Sequence, residues 1–259
     1  MDLLLKQFGE QSVVGFILVL ARVSPMFVLA PLFSSRLIPA RVRGIVAVAL
    51  AVGLSPVLVE GHHLATAPAE LVWLIGKELL IGLTFAFVVG ALFSAIAVAG
   101  SFLDTAIGFS YGSLVDPITG VQSSVLQQAY SLVAILVFIA IGGDAWVVQG
   151  LAHTYDVVPI DQVPSLGRLV QGVDTAFVSI FASAVQVAGP VLLAIVLTDA
   201  AFGLVSRVVP QLNVFGVGFP AKVAVGLLLV GVSLPFVGTW LSDGLQGSIT
   251  DALRALRVA

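Results

Sequence analysis

Four stretches of the chain, Leu79–Leu103, Pro117–Gly143, Thr175–Thr198 and Val223–Ser242, contain no Asp, Glu, Lys or Arg. Each reaches the roughly 20 residues that a helix needs to cross a hydrocarbon core. None shows the strict alternation of apolar and polar positions that marks a barrel strand, and only helices and closed barrels satisfy their backbone groups in lipid. Read coarsely, the hydrophobic pattern predicts six apolar segments, near residues 12–33, 44–59, 71–99, 122–143, 175–198 and 221–241. The expected fold is therefore an all-α membrane protein of about six long, kinked apolar helices. Residues 1–259 are expected to form a single domain, because no linker is long or polar enough to separate two. The longest polar stretch, Asp144–Asp174, carries Pro159, Pro164 and four Asp, and is expected to be an extramembrane loop.

Composition sharpens this. Apolar residues make up 59% of the chain and charged residues 10%, with a mean hydropathy of +1.14. A soluble domain carries about 25% charged residues, so too little polar surface exists here to coat a particle in water. The net charge of −3 and the lack of a basic tract argue against nucleic acid as a partner. The chain has no cysteine, which excludes disulfides and thiolate metal sites. The first apolar run lacks a basic leader and is interrupted by Arg22, so it is expected to be retained. Arg36, Arg41 and Arg43 follow that run, whereas residues 60–70 hold no Lys or Arg. The positive-inside rule then places the 36–43 loop in the cytoplasm; Arg168, Arg254 and Arg257 fit a regular six-span path poorly.

Glycine and proline recur inside apolar segments, at Pro25, Pro31, Gly82, Gly90, Gly189, Pro190, Gly226, Gly231 and Pro235. Proline kinks a helix and glycine lets neighbouring helices approach; ordinary packing and a working hinge weigh about equally. Arg22-Val-Ser-Pro25 with Ile38-Pro-Ala-Arg-Val42 is echoed by Arg207-Val-Val-Pro210 with Phe219-Pro-Ala-Lys-Val223, a match short enough for coincidence. Ionisable residues at or inside the apolar segments are Arg22, Lys77, Glu78, Asp104, Asp199 and Lys222. Each is costly in lipid and must face protein, water or a partner charge. Lys77, Glu78 and Lys222 read first as helix-end or intersubunit charges. Arg22, Asp104 and Asp199 are candidate buried charges, Arg22 and Asp104 lying deepest and expected to pair with opposite charges in an assembly.

Little here suggests catalysis. His62, His63 and His153 are the only histidines. They belong to no zinc, serine-hydrolase or paired-carboxylate pattern, and no glycine-rich run makes a phosphate loop. No cofactor is implied. The stretch Gly108-Phe-Ser-Tyr-Gly-Ser-Leu-Val-Asp-Pro-Ile-Thr-Gly120 is a different sort of object. It combines helix-breaking glycines and an Asp-Pro turn with apolar side chains between two uncharged runs. Such a loop suits a pore-filling segment that can withdraw, or simply a buried turn. A secondary transporter would also explain kinked helices with internal charges; an intramembrane enzyme would need a catalytic pair that the sequence does not supply.

One region is far more specific. Arg207-Val-Val-Pro-Gln-Leu-Asn-Val-Phe215 followed by Gly218-Phe-Pro-Ala-Lys222 resembles the FliR family of flagellar type III export-gate proteins. Arg22-Val-Ser-Pro-Met-Phe-Val-Leu-Ala-Pro-Leu-Phe33, Ile38-Pro-Ala-Arg-Val-Arg43, and Gly108-Phe-Ser-Tyr with Asp116-Pro117 are similar to the family in the same order. The resemblance implies helical hairpins in a heteromeric gate with FliP and FliQ, associated with FlhB and FlhA, in the inner membrane at the flagellar basal body. Unfolded flagellar subunits would be the cargo. It also implies a channel plug at Gly108, Phe109, Ser110, Tyr111, Gly112, Leu114, Val115, Asp116 and Pro117. Pro210, Gln211, Asn213, Phe215, Phe219, Pro220 and Lys222 would then serve subunit packing. Injectisome homologues share part of these motifs; the Gly218–Lys222 continuation looks flagellar.

Overall fold

A computed structural model of the chain describes residues 10–30, 33, 38–59, 67–109, 124–209 and 214–256. Among these residues the regular structure is entirely helical: α1 (Glu10–Val23), α2 (Met26–Leu29), α3 (Ala40–Val59), α4 (Pro68–Ile107), α5 (Val125–Ala140), α6 (Gly143–Val157), α7 (Leu166–Val208) and α8 (Val214–Leu256). Each of the six expected apolar segments overlaps this helical set. Four stretches are long and apolar enough to cross a membrane: Gln11–Leu29, Pro68–Ile107, Leu166–Val208 and Gly216–Leu256. The pair α5–α6 makes a fifth if taken as one broken span.

Two sequence expectations need correction. The helices α4, α7 and α8 run 40, 43 and 43 residues, about 60 Å at 1.5 Å per residue. That is roughly twice the ~30 Å hydrocarbon thickness, so each helix runs well past the bounds of the apolar segment expected for it. Much of Asp144–Asp174 is helix and not loop, since α6 and the start of α7 occupy it. Within it Val147, Gly150, Leu151, Thr154 and Tyr155 are buried, an amphipathic face at helical spacing. The prolines and aspartates drew attention away from that period.

Helix boundaries follow local chemistry. Pro25 lacks an N–H, yet its φ of −61° and ψ of −26° are helical, and the Ser24 N–H still reaches the Leu20 carbonyl at 2.9 Å. The chain therefore resumes as α2 after a short interruption. Pro68 opens α4, where an N–H would be unsatisfied anyway, with Glu70 in the first turn. Gly108, at φ 104°, ends it. The Ser124 hydroxyl caps α5 by accepting from the Gln127 N–H at 3.2 Å. Gly142, at φ 66°, separates α5 from α6 in a left-handed position that glycine occupies without a Cβ penalty.

The chain forms two compact units. One comprises 1–91, 142–177 and 245–259; the other comprises 92–141 and 178–244. Leu18, Met26, Ile81, Phe85, Leu151 and Ile160 are core residues of the first, and Ile96, Leu103, Phe138, Val187 and Leu241 of the second. In the second, Phe93 and Phe138 meet edge to face at 5.3 Å.

Candidate functional site

In the first unit, α1 and α4 approach closely enough to touch through backbone. A Cβ added at Gly82 would run into the Arg22 carbonyl. Glu78 lies one helical turn before Gly82, on the same face of α4. Close approach at the glycine therefore delivers Arg22 to the carboxylate. Arg22 Nε donates to Glu78 Oε2 at 2.5 Å, although the residues stand 56 apart in sequence. Both side chains are fully buried.

Arg22 uses its remaining donors on α6 and on the residue just past its end. Nη1 donates to the Thr154 hydroxyl at 3.2 Å and Nη2 to the Val158 carbonyl at 3.0 Å. The guanidinium lies 3.8 Å from the Tyr155 ring centroid, a cation–π contact in a desolvated place. Lys77, also buried, donates to the Ile160 carbonyl and to the Gln162 carbonyl at 3.0 Å, and forms an ion pair with Glu78 Oε1 at 3.2 Å.

The cluster holds two cations and one carboxylate. Its excess positive charge faces main-chain carbonyls at and beyond the C-terminal end of α6, where the helix macrodipole is negative. A charge in this setting is expensive unless it is paired and hydrogen-bonded; each nitrogen of the two cations donates to an acceptor, while the buried Tyr155 hydroxyl and Glu78 Oε1 have no hydrogen-bond partner among the described residues. Lys77 and Glu78 are thus not helix-end charges reaching for solvent, as their sequence position first suggests. Thr154, Tyr155, Val158, Ile160 and Gln162 were not anticipated as site residues, because they lie in the segment read as a loop. The amphipathic spacing of α6 was the signal that could have found them.

The second unit repeats the device with a different partner. Gly100 abuts the backbone of Leu126 and Gln127. Asp104, one turn further along α4, accepts from the Leu126 N–H at 3.3 Å. Asp104 is buried and faces the N-terminus of α5, where a carboxylate both satisfies an unpaired N–H and meets the positive end of the helix. Among the described residues its partner is this backbone donor.

Asp199 departs from expectation. It was placed among the buried charges, but it is exposed and pairs with Lys222 at 2.6 Å, its side chain 52% accessible. Helices α7 and α8 leave Leu193, Val196, Leu197, Leu228 and Val232 exposed around these positions, so no element among the described residues covers it. Phe219 is exposed as well. Ser110, Tyr111, Gly112, Leu114, Val115, Asp116, Pro117, Pro210, Gln211 and Asn213 lie outside the described residues. Of the expected plug only Gly108 and Phe109 are described, their N–H groups both donating to the Asp104 carbonyl, at 3.1 and 3.0 Å. His153 is exposed beside Asp156 at 2.9 Å. Among the described residues no group of His, Asp or Glu is arranged to hold a metal ion.

Residues 13–247 match the family model described as "Bacterial export proteins, family 1". The flagellar biosynthetic protein FliR of Bacillus subtilis (strain 168) is 34% identical over 235 residues, covering 86% of this chain and 88% of that protein. The FliR protein of Escherichia coli (strain K12) is 28% identical, with 84% and 83% covered. The Yop proteins translocation protein T of Yersinia pestis is 29% identical, with 85% and 86% covered.

Proposed function

Because the chain belongs to family 1 of the bacterial export proteins, we propose that it is a channel-forming, non-enzymatic subunit of a flagellar type III export gate in the bacterial inner membrane. The observation that carries this reading is the match to a flagellar biosynthetic protein along 88% of that protein's length. The long apolar helices with exposed apolar faces suit a chain whose surface is completed by lipid and by other subunits. In this reading FliP and FliQ share the gate, FlhB and FlhA act beside it at the basal body, and unfolded flagellar subunits are the cargo.

The segment 108–117 is assigned to the plug. Gly108 ends α4 at a left-handed φ, which breaks the helix where a mobile closure would have to begin. Phe109 and Tyr111 would fill the constriction, and a substrate opens it only by favouring the displaced state differentially. Deleting 110–117 should raise ion leakage through the gate; an intact seal after deletion rejects the plug. Gln211, Asn213 and Phe215 are assigned to contacts with neighbouring subunits, with Pro210 and Pro220 shaping the local backbone.

Affinity purification of the tagged chain from its native membrane, followed by mass spectrometry, tests the whole reading. Recovery of FliP and FliQ in one complex is expected; a lone chain, under conditions that preserve other membrane complexes, would overturn it. A similar protein that serves translocation of Yop proteins makes an injectisome the second reading. Disruption of the gene should abolish flagellar filaments under the first reading and leave them intact under the second.

A further inference from the structure

Within the first unit, α4 and the first three turns of α7 bound an open groove of about 490 Å³. Leu80, Leu83 and Phe87 form one wall, and Leu166, Val170 and Val173 the other. The wall positions recur at helical spacing along both elements, so the groove runs beside two helices as a channel for a third. Its only charged lining residue is Asp174. That carboxylate is exposed and has no hydrogen bond or ion pair among the described residues. It sits at the edge of the uncharged run 175–198, inside a helix long and apolar enough to cross a membrane.

We propose that this groove is the docking site of an apolar helix from another protein of the membrane assembly, carrying a lysine or arginine set against Asp174. The inference rests on the export-gate reading and names the chemistry of one contact within it. Filling the groove would take this carboxylate out of water, so the occupant must bring it a cation. An acyl chain would fill the apolar walls but bring no cation, and the amine of a zwitterionic lipid headgroup comes with a phosphate that Asp174 repels. A basic residue on a docked helix answers both the walls and the charge.

The chain has no cysteine, so Val170→Cys supplies a unique thiol in the groove for a benzophenone label. Irradiation in native membranes should yield an adduct to an apolar helix of a different polypeptide, with Lys or Arg within one turn of the adduct. Adduct yield should fall about tenfold with Asp174→Lys, fall less with Asp174→Asn, and recover when the partner's basic residue is changed to Asp. Adducts to lipid alone, adducts to a second copy of this chain, or yields indifferent to both Asp174 variants would overturn the proposal. Mass spectrometry of the subunits that co-purify with each variant separates the two levels. If the other gate subunits are retained and no adduct forms, docking fails and the gate reading stands. A chain that purifies alone overturns both.

Discussion

Gly76 and Gly82 lie on the same helix, yet alanine should have opposite consequences at them. Nothing stands within 4 Å of a Cβ at Gly76, whereas at Gly82 the obstruction is the backbone of Arg22, which cannot rotate away. Gly76→Ala should be neutral or stabilising by up to about 1 kcal/mol, from helix propensity. Gly82→Ala should cost about 1–3 kcal/mol through overpacking and loosen the Arg22–Glu78 pair. Thermal unfolding of the purified protein in detergent, compared with wild type, checks both. The charge count of the buried cluster predicts a second ordering. Glu78→Gln leaves two buried cations with no anion, and breaking such a pair costs about 3–5 kcal/mol. Lys77→Met leaves Arg22 and Glu78 neutralising each other and should cost less, the loss falling on the Ile160 and Gln162 carbonyls. Equal losses in the two variants would count against the charge argument.

The helix α4 organises each unit by the same arrangement, a glycine with a carboxylate one turn away. Gly82 and Glu78 receive α1 through a guanidinium; Gly100 and Asp104 receive the first turn of α5 through a backbone N–H. Asp104→Asn keeps an acceptor but removes the charge from the helix N-terminus, so a loss of about 0.5–1 kcal/mol is expected. It should appear as faster amide hydrogen exchange over residues 125–130, with the exchange of α1 unchanged. Gly142 links α5 to α6, and an alanine there must adopt a left-handed backbone at about 1–2 kcal/mol. Exchange around 140–145 should rise in Gly142→Ala.

Among the candidate spans, α4 is the most enclosed, its most apolar window 72% buried within the chain, against 17% for α8. Phe236, Val232 and Leu228 on α8, with Phe181, Leu193 and Leu197 on α7, stay exposed. A monomer in water would present these as aggregation-prone patches. Under the proposed gate, the chain expressed alone should be recovered in low yield and degraded quickly, and co-expression of FliP and FliQ should extend its half-life several-fold in a pulse–chase experiment. An equal half-life in both settings would indicate that lipid alone covers these faces.

Hydrophobic spacing and the uncharged runs were enough to assign a helical, membrane-compatible chain and to place apolar segments that overlap the described helices, because both depend on neighbours a few residues apart. The same local signals marked Arg22 and Asp104 as costly in lipid and in need of partners. They could not say which partners, since Arg22 and Glu78 stand 56 residues apart and meet only where Gly82 admits the α1 backbone. Packing likewise made Asp104 a helix cap, put Lys77 and Glu78 in a buried cluster, and left Asp199 exposed beside Lys222. Burial and pairing are properties of how helices approach one another, and a run of apolar residues around a charge carries no record of that distance.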